Sequence, residues 1–200
     1  AALPLASSSC DVAVLMLVLH HIREPAEVFS EMARILRDEM GRDDIGYALV
    51  GSGDVMDDLI AWRAAHGLEN KMKLCGRMTA EEFMPVLSAA HICVQPDPPS
   101  RLNNVSTMNK PMEYMALSKP VITFALKETM VTGGDVCQYV EGSDPRDLAA
   151  KVVELADNPE LREELGRIAA CGQLAPGLLL GLTTPLLTVH LQPLNATWMS

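Results

Sequence analysis

Aromatic side chains are scarce in this 200-residue chain, at 4%. Three Phe against twelve Met leave a mostly aliphatic core, which suits a sheet covered by helices better than an aromatic-rich sandwich. Cysteine is sparse as well. Cys10, Cys75, Cys93, Cys137 and Cys171 are odd in number and widely spaced, with no CxxC pair. That pattern excludes a disulfide framework and a zinc site, and it implies reduced, buried thiols and a cytoplasmic setting. No basic stretch precedes an apolar run at the N-terminus, so no signal peptide is read. The Asn104-Val-Ser106 and Asn195-Ala-Thr197 sequons then carry little weight. GxSxG, HExxH and P-loop patterns are all missing. A basic surplus is missing too: 16 Lys and Arg face 26 Asp and Glu, for a net charge of −10. This argues against a nucleic-acid partner, which calls for a basic face. At 48% apolar the chain is too hydrophobic to be disordered.

The last absence is local. From Gly172 to Ser200 there is no Asp, Glu, Lys or Arg; all 16 basic and 26 acidic residues lie before that stretch. A membrane span needs about 20 mainly apolar residues. This stretch is interrupted by Pro176, Gly177, Gly181, Pro185, His190 and Pro193, which argues against a membrane anchor. Composition and pattern divide the chain into residues 1–40, 45–170 and a charge-free tail, 171–200.

What remains is an alternation of strands and helices. Val12 to Leu19 is an unbroken apolar run, the pattern of a strand buried on both faces. Glu24-Pro25 starts a helix, with Val28, Phe29, Met32, Ile35 and Leu36 at helical spacing. Tyr47–Val50 is a short strand ending in Gly51-Ser52-Gly53-Asp54. A helix with Val55, Leu59, Ile60 and Trp62 follows and stops at Gly67. Met72–Cys75 is a strand, and Thr79-Ala-Glu-Glu82 is a capping box that opens the next helix. Ile92–Val94 is a strand ended by Pro96–Pro99. The polar loop from Ser100 to Ser106 leads into a helix from about Thr107 to Leu117, and Pro120–Ala125 is again a strand. Asp144-Pro145 and Asn158-Pro159 each start a helix. The alternation predicts an α/β fold: a Rossmann-like, doubly wound parallel sheet with helices on both faces.

In such sheets ligands sit at the carboxyl ends of the strands. Gly51 and Gly53 lie between a strand and a helix, where backbone amides can approach a phosphate or sugar; a plain tight turn is the equal alternative. Arg77 follows Gly76 at another strand end and is either a base or phosphate contact or a solvated surface residue. The strongest candidate is the polar loop and helix from Leu102 to Pro120. Ser106 and Thr107 can cap the helix, and its free amides can hold an anionic diphosphate. Lys110 can add a positive charge. The Glu113 carboxylate can accept bonds from two vicinal hydroxyls, as on a ribose. His20-His21, with Cys10, Asp11 and Glu24 nearby, invites a metal or hydrolase site, but adjacent His side chains diverge and a strand-end pair is favoured.

Residues 45–170 resemble the C-terminal, donor-binding half of a family 4 glycosyltransferase of the GT-B type. Matching pieces are Leu49-Val-Gly-Ser-Gly53, Leu74-Cys-Gly-Arg77, Ala89-Ala-His-Ile-Cys-Val-Gln-Pro96, Met112-Glu-Tyr-Met-Ala-Leu-Ser-Lys-Pro-Val121 and Asp144-Pro-Arg-Asp-Leu-Ala149. Asn158-Pro-Glu-Leu-Arg-Glu-Glu-Leu-Gly166 matches a following helix, and Ser106-Thr-Met-Asn-Lys110 resembles a bacterial subset. The resemblance implies retaining transfer of sugar from a UDP- or GDP-sugar donor. It assigns the nucleotide ribose to Glu113 and the phosphates to the Ser106–Asn109 backbone, including Thr107. Three departures stand out. The family pattern has an acidic residue eight positions before Glu113, where this chain has Val105. It has Gly before Lys-Pro, where this chain has Ser118. The half's first strand and helix with their basic pair, and the acceptor-binding N-terminal domain, are not matched, so complete transfer is not expected of these 200 residues.

Residues 1–38 resemble the middle of a class I SAM-dependent methyltransferase, through Leu3-Pro-Leu, Ser9-Cys-Asp-Val-Ala-Val, Leu17-Val-Leu-His-His-Ile and Glu31-Met-Ala-Arg-Ile-Leu-Arg37. That resemblance implies SAM as ligand, with Asp11 at the strand near the cofactor and Leu3-Pro4 near the adenine. The chain thus reads as a chimera. Val12–Leu19 is expected in the place of the donor domain's first strand, giving one sheet of about six strands. A hydrolase or binding protein that neither resemblance predicts is the third reading. An open sheet edge favours a homo-oligomer.

Overall fold

The computed structural model describes residues 12–17 and 24–172. His20, His21, Cys10, Asp11, Leu3, Pro4 and the tail from residue 173 lie outside the described residues. Six strands form one sheet: β1 (Val12–Leu17), β2 (Ile45–Val50), β3 (Met72–Leu74), β4 (Ile92–Gln95), β5 (Val121–Phe124) and β6 (Cys137–Val140). All pairings are parallel, in the order β3-β2-β1-β4-β5-β6. This is the Rossmann order, with the chain switching direction across the sheet between β1 and β4. β1 is therefore central. It pairs with β2 from Val12 opposite Ile45 to Leu17 opposite Val50, and with β4 at Val14 opposite Ile92 and Leu15 opposite Cys93.

Strand pleating divides the core into two layers. Ile45, Tyr47 and Leu49 of β2, Ile92 and Val94 of β4 and Ile122 and Phe124 of β5 share one cluster with α1 (Glu24–Arg34), α2 (Met56–Ala65) and α6 (Pro145–Asp157). Ala48, Val50, Cys93 and Val121 join a second cluster with α3 (Ala80–Ala89), α4 (Asn109–Ala116) and α7 (Pro159–Gly172). The apolar runs of β2, β4 and β5 thus mark strands covered on both faces.

Helix starts follow their capping chemistry. The Thr79 hydroxyl accepts from the Glu82 amide at 3.3 Å, and the Glu82 carboxylate accepts from the Thr79 amide at 2.9 Å, completing the capping box of α3. Asp144 accepts from the Arg146 amide at 2.9 Å at the start of α6, and Asn158 accepts from the Leu161 amide at 2.9 Å. Two elements escape sequence reading. α5 (Lys127–Gly133) is too short to show a helical period, and β6 is an edge strand of mixed character, Cys-Gln-Tyr-Val.

α4 ends in a Schellman turn: the Ser118 amide donates to the Met115 carbonyl at 2.9 Å and the Lys119 amide to the Tyr114 carbonyl at 3.0 Å. The turn holds Ser118 at φ 55°, in the left-handed region that glycine favours. α7 packs closely here, for a Cβ on Gly166 would stand 2.5 Å from the Ser118 carbonyl oxygen. Replacing Ser118 by Gly is expected to stabilise the fold by about 0.5–1 kcal/mol, the left-handed strain outweighing glycine's extra chain entropy. A thermal melt checks it; an unchanged or lower melting temperature would count against the strain argument.

Candidate functional site

The carboxyl ends of the strands carry two groups of candidate residues, one on each side of β1. On the β2–β3 side, Gly51 takes φ 138° as the chain leaves β2, and its amide donates to the Gly76 carbonyl at 2.8 Å. The Gly53 carbonyl accepts from the Met56 amide at 3.1 Å at the start of α2. Gly51, Gly53 and Gly76 thus build one joined rim, and the exposed Arg77 stands next to it.

On the β4 side, the polar loop is stapled by its own side chains. The Asn103 amide nitrogen of the side chain donates to the Pro98 carbonyl at 2.7 Å, and its backbone amide to the Ser100 hydroxyl at 3.0 Å. Asn104 donates to the Ser100 carbonyl at 2.9 Å and accepts from the Lys127 amide at 3.2 Å, tying the loop to α5. The loop includes a single turn of 3-10 helix, Asn103–Val105.

The cap expected from Ser106 and Thr107 is not formed. α4 begins at Asn109, with Met108 as N-cap and no side-chain cap bond. The Ser106 hydroxyl donates instead to the Leu102 carbonyl at 2.8 Å, and the Thr107 hydroxyl lies 3.5 Å from the Glu128 carboxylate. Local 3-10 geometry wins because it satisfies Ser106 within its own turn. The consequence is an α4 start whose amides lack a side-chain cap, at the carboxyl end of β4 beside the switch point. Asn109 is exposed there.

Lys110 also differs from expectation. The sequence lets it add a positive charge to the site, but it is buried, with Nζ 3.6 Å from the Asp97 carboxylate. Asp97 in turn accepts a hydrogen bond from the Gln95 side-chain amide. Gln95, Asp97 and Lys110 are exposed by only 0%, 2% and 5%, so this polar cluster is enclosed in the core. The Gln95 side-chain oxygen has no hydrogen-bond partner among the described residues. Burial pushes the Lys110 ammonium below its ordinary pKa, against the pull of Asp97. Sequence reading missed Gln95 and Asp97; the signal was a polar residue closing an apolar strand, followed by an acid between prolines. Glu113 lies one turn beyond Lys110. The residue is exposed, yet loss of hydration at the carboxyl raises its pKa, with the Lys110 charge opposing the rise.

A family model described as Glycosyl transferases group 1 matches residues 12–158. The chain belongs to that family. The match begins at β1, ahead of the expected boundary at residue 45, and so takes in β1 and α1. A curated relative, an uncharacterised glycosyltransferase of Methanocaldococcus jannaschii, is 29% identical over 135 residues, covering 66% of this chain and 36% of the relative. Among solved structures, TarM of S. aureus, described as a complex with fondaparinux, α-GlcNAc-glycerol and UDP, matches at TM-score 0.69 and 18% identity, over 80% of this chain and 31% of TarM. The C-terminal domain of a group 1 glycosyltransferase (LpcC) from Francisella tularensis matches at TM-score 0.63 and 15% identity, over 84% of this chain and 86% of that domain. The fold is that of GT-B glycosyltransferases. The chain spans about a third of the length of the curated relative and of TarM. Among the described residues, no helix is long and apolar enough to cross a membrane, and no group of three His, Cys, Asp or Glu is gathered for a metal ion.

Proposed function

We propose that this group 1 glycosyltransferase chain binds a nucleotide-sugar donor, a UDP- or GDP-sugar, for retaining glycosyl transfer of the family 4 type. The observation that carries the reading is the uncapped start of α4 beside the switch point, with Glu113 one turn in. In transfer, the bond from the anomeric carbon to the diphosphate breaks, the acceptor hydroxyl oxygen bonds that carbon, and its proton leaves with the diphosphate oxygen. The charge left on the departing diphosphate would meet the α4 amides at the positive end of the helix dipole. Glu113 would accept bonds from the ribose hydroxyls, and the Gly51–Gly53 rim with Arg77 would flank the nucleotide. Acceptor choice is assigned to the parts of the longer relatives that this chain does not span. The cytoplasm, where nucleotide sugars meet reduced thiols, is the proposed setting.

Calorimetric titration of the full chain with UDP, GDP and SAM tests the reading. One of the two nucleoside diphosphates should bind and SAM should not; binding of SAM alone would favour the methyltransferase reading. Glu113→Ala is expected to weaken nucleotide binding about 10–100-fold, the worth of hydrogen bonds to a charged acceptor. The pH dependence has a definite sign. The raised Glu113 pKa leaves the carboxyl protonated at a pH where an ordinary Glu is already ionised. Binding should therefore weaken as pH falls through that raised value, and Glu113→Gln should flatten the profile.

A further inference from the structure

Polar clusters in a core need a reason, since a buried ion pair contributes little net stability over apolar residues of the same size. The Gln95–Asp97–Lys110 cluster is such a case. It joins the end of β4 to the second residue of α4, across a loop of more than ten residues that is also held by its own turns and by Asn104 on α5. Two prolines, Pro96 and Pro98, flank Asp97 and limit the backbone on that side. On the helix side, Lys110 precedes Glu113 by three positions, so both project from neighbouring points on α4. With no side-chain cap to define where α4 begins, the clamp from Asp97 ties its first turn to the segment that leaves β4.

We infer that Asp97, through the buried Lys110, is a positioning residue that holds the first turn of α4 and Glu113 in register with the strand ends for the donor nucleotide. Lys110 acts from inside the core as a strut and not as a free cation on the phosphates. The inference rests on the donor reading above. It predicts that geometry, not charge balance, is what the pair supplies.

The double variant Asp97→Asn/Lys110→Met removes both charges and keeps similar shapes, so no unpaired charge is left in the core if the single variants fail to fold. Its affinity for whichever of UDP and GDP the wild-type chain binds is measured by calorimetry, at a temperature well below both melting points. The expected result is binding weakened about tenfold or more while the cooperative melt persists. Glu113→Ala should also cost a smaller factor in the double variant than in the wild type, because Glu113 no longer stands where the ribose requires it. Nucleotide affinity within about twofold of wild type, or an equal Glu113→Ala factor in both backgrounds, overturns the inference and leaves the donor reading standing. A wild-type chain that binds neither UDP nor GDP overturns both.

Discussion

Lys110→Met alone is expected to destabilise the fold by about 3–5 kcal/mol, a large part of the 5–15 kcal/mol that holds a typical domain. The substitution keeps the length and apolar stem of the side chain, so little packing is lost. What changes is the fate of the Asp97 carboxylate. It is 2% exposed, and its remaining partner is the Gln95 side-chain amide. One neutral donor cannot replace the lost water and the lost ammonium together. Urea denaturation at neutral pH reads the loss as a lower midpoint. A variant within about 1 kcal/mol of wild type would show that water reaches Asp97 and that the cluster is not enclosed. Adding Asp97→Asn should recover most of the stability, because the double change leaves no buried charge.

The same cluster shows where sequence reading stops. Periodicity found β2, β4 and β5 because a strand covered on both faces leaves an apolar run, and the two core layers display that alternation residue by residue. Cap chemistry placed the starts of α3, α6 and α7, since Thr79, Asp144 and Asn158 act within three residues of themselves. The start of α4 was misplaced for the same local reason in reverse: Ser106 had a nearer carbonyl to bond, at Leu102. The Asp97–Lys110 pair spans thirteen positions, and no local pattern couples residues at that separation. Ser118 was legible as a departure from the family's glycine, while its left-handed backbone needed coordinates. The candidate site was thus readable as a region, the carboxyl ends of β2 and β4, but not as a set of side-chain partners.

A chain shortened to begin at residue 41 is expected not to fold. Resemblance divides the chain near residues 38–45, although Val12–Leu19 is expected to complete the sheet of the part that follows. The sheet order opposes that division. β1 stands between β2 and β4, so its removal leaves two inner strands facing each other across an empty position of about 4.8 Å on either side. Backbone donors and acceptors along β2, from Ile45 to Val50, lose their β1 partners, and buried unpaired groups cost about 1–3 kcal/mol each. α1 leaves as well. Phe29, Met32, Ala33, Ile35 and Leu36 are buried in the first core layer against β2 and α6. Burial contributes about 1.5–3 kcal/mol for each large apolar side chain, so losing four of them already approaches or exceeds the net stability of a domain. The ion pair from Arg146 to Glu39, at 2.5 Å, and the Arg34–Glu39 pair, at 2.7 Å, also disappear, though exposed pairs of this kind add little. Circular dichroism and a thermal melt of the shortened chain test the claim. A cooperative melt would show that β2 and β4 can close on each other without β1, and that residues 1–40 are an appendage. Loss of the cooperative transition, with the full chain melting normally, would make β1 and α1 the centre of the donor fold, whatever family their sequence resembles.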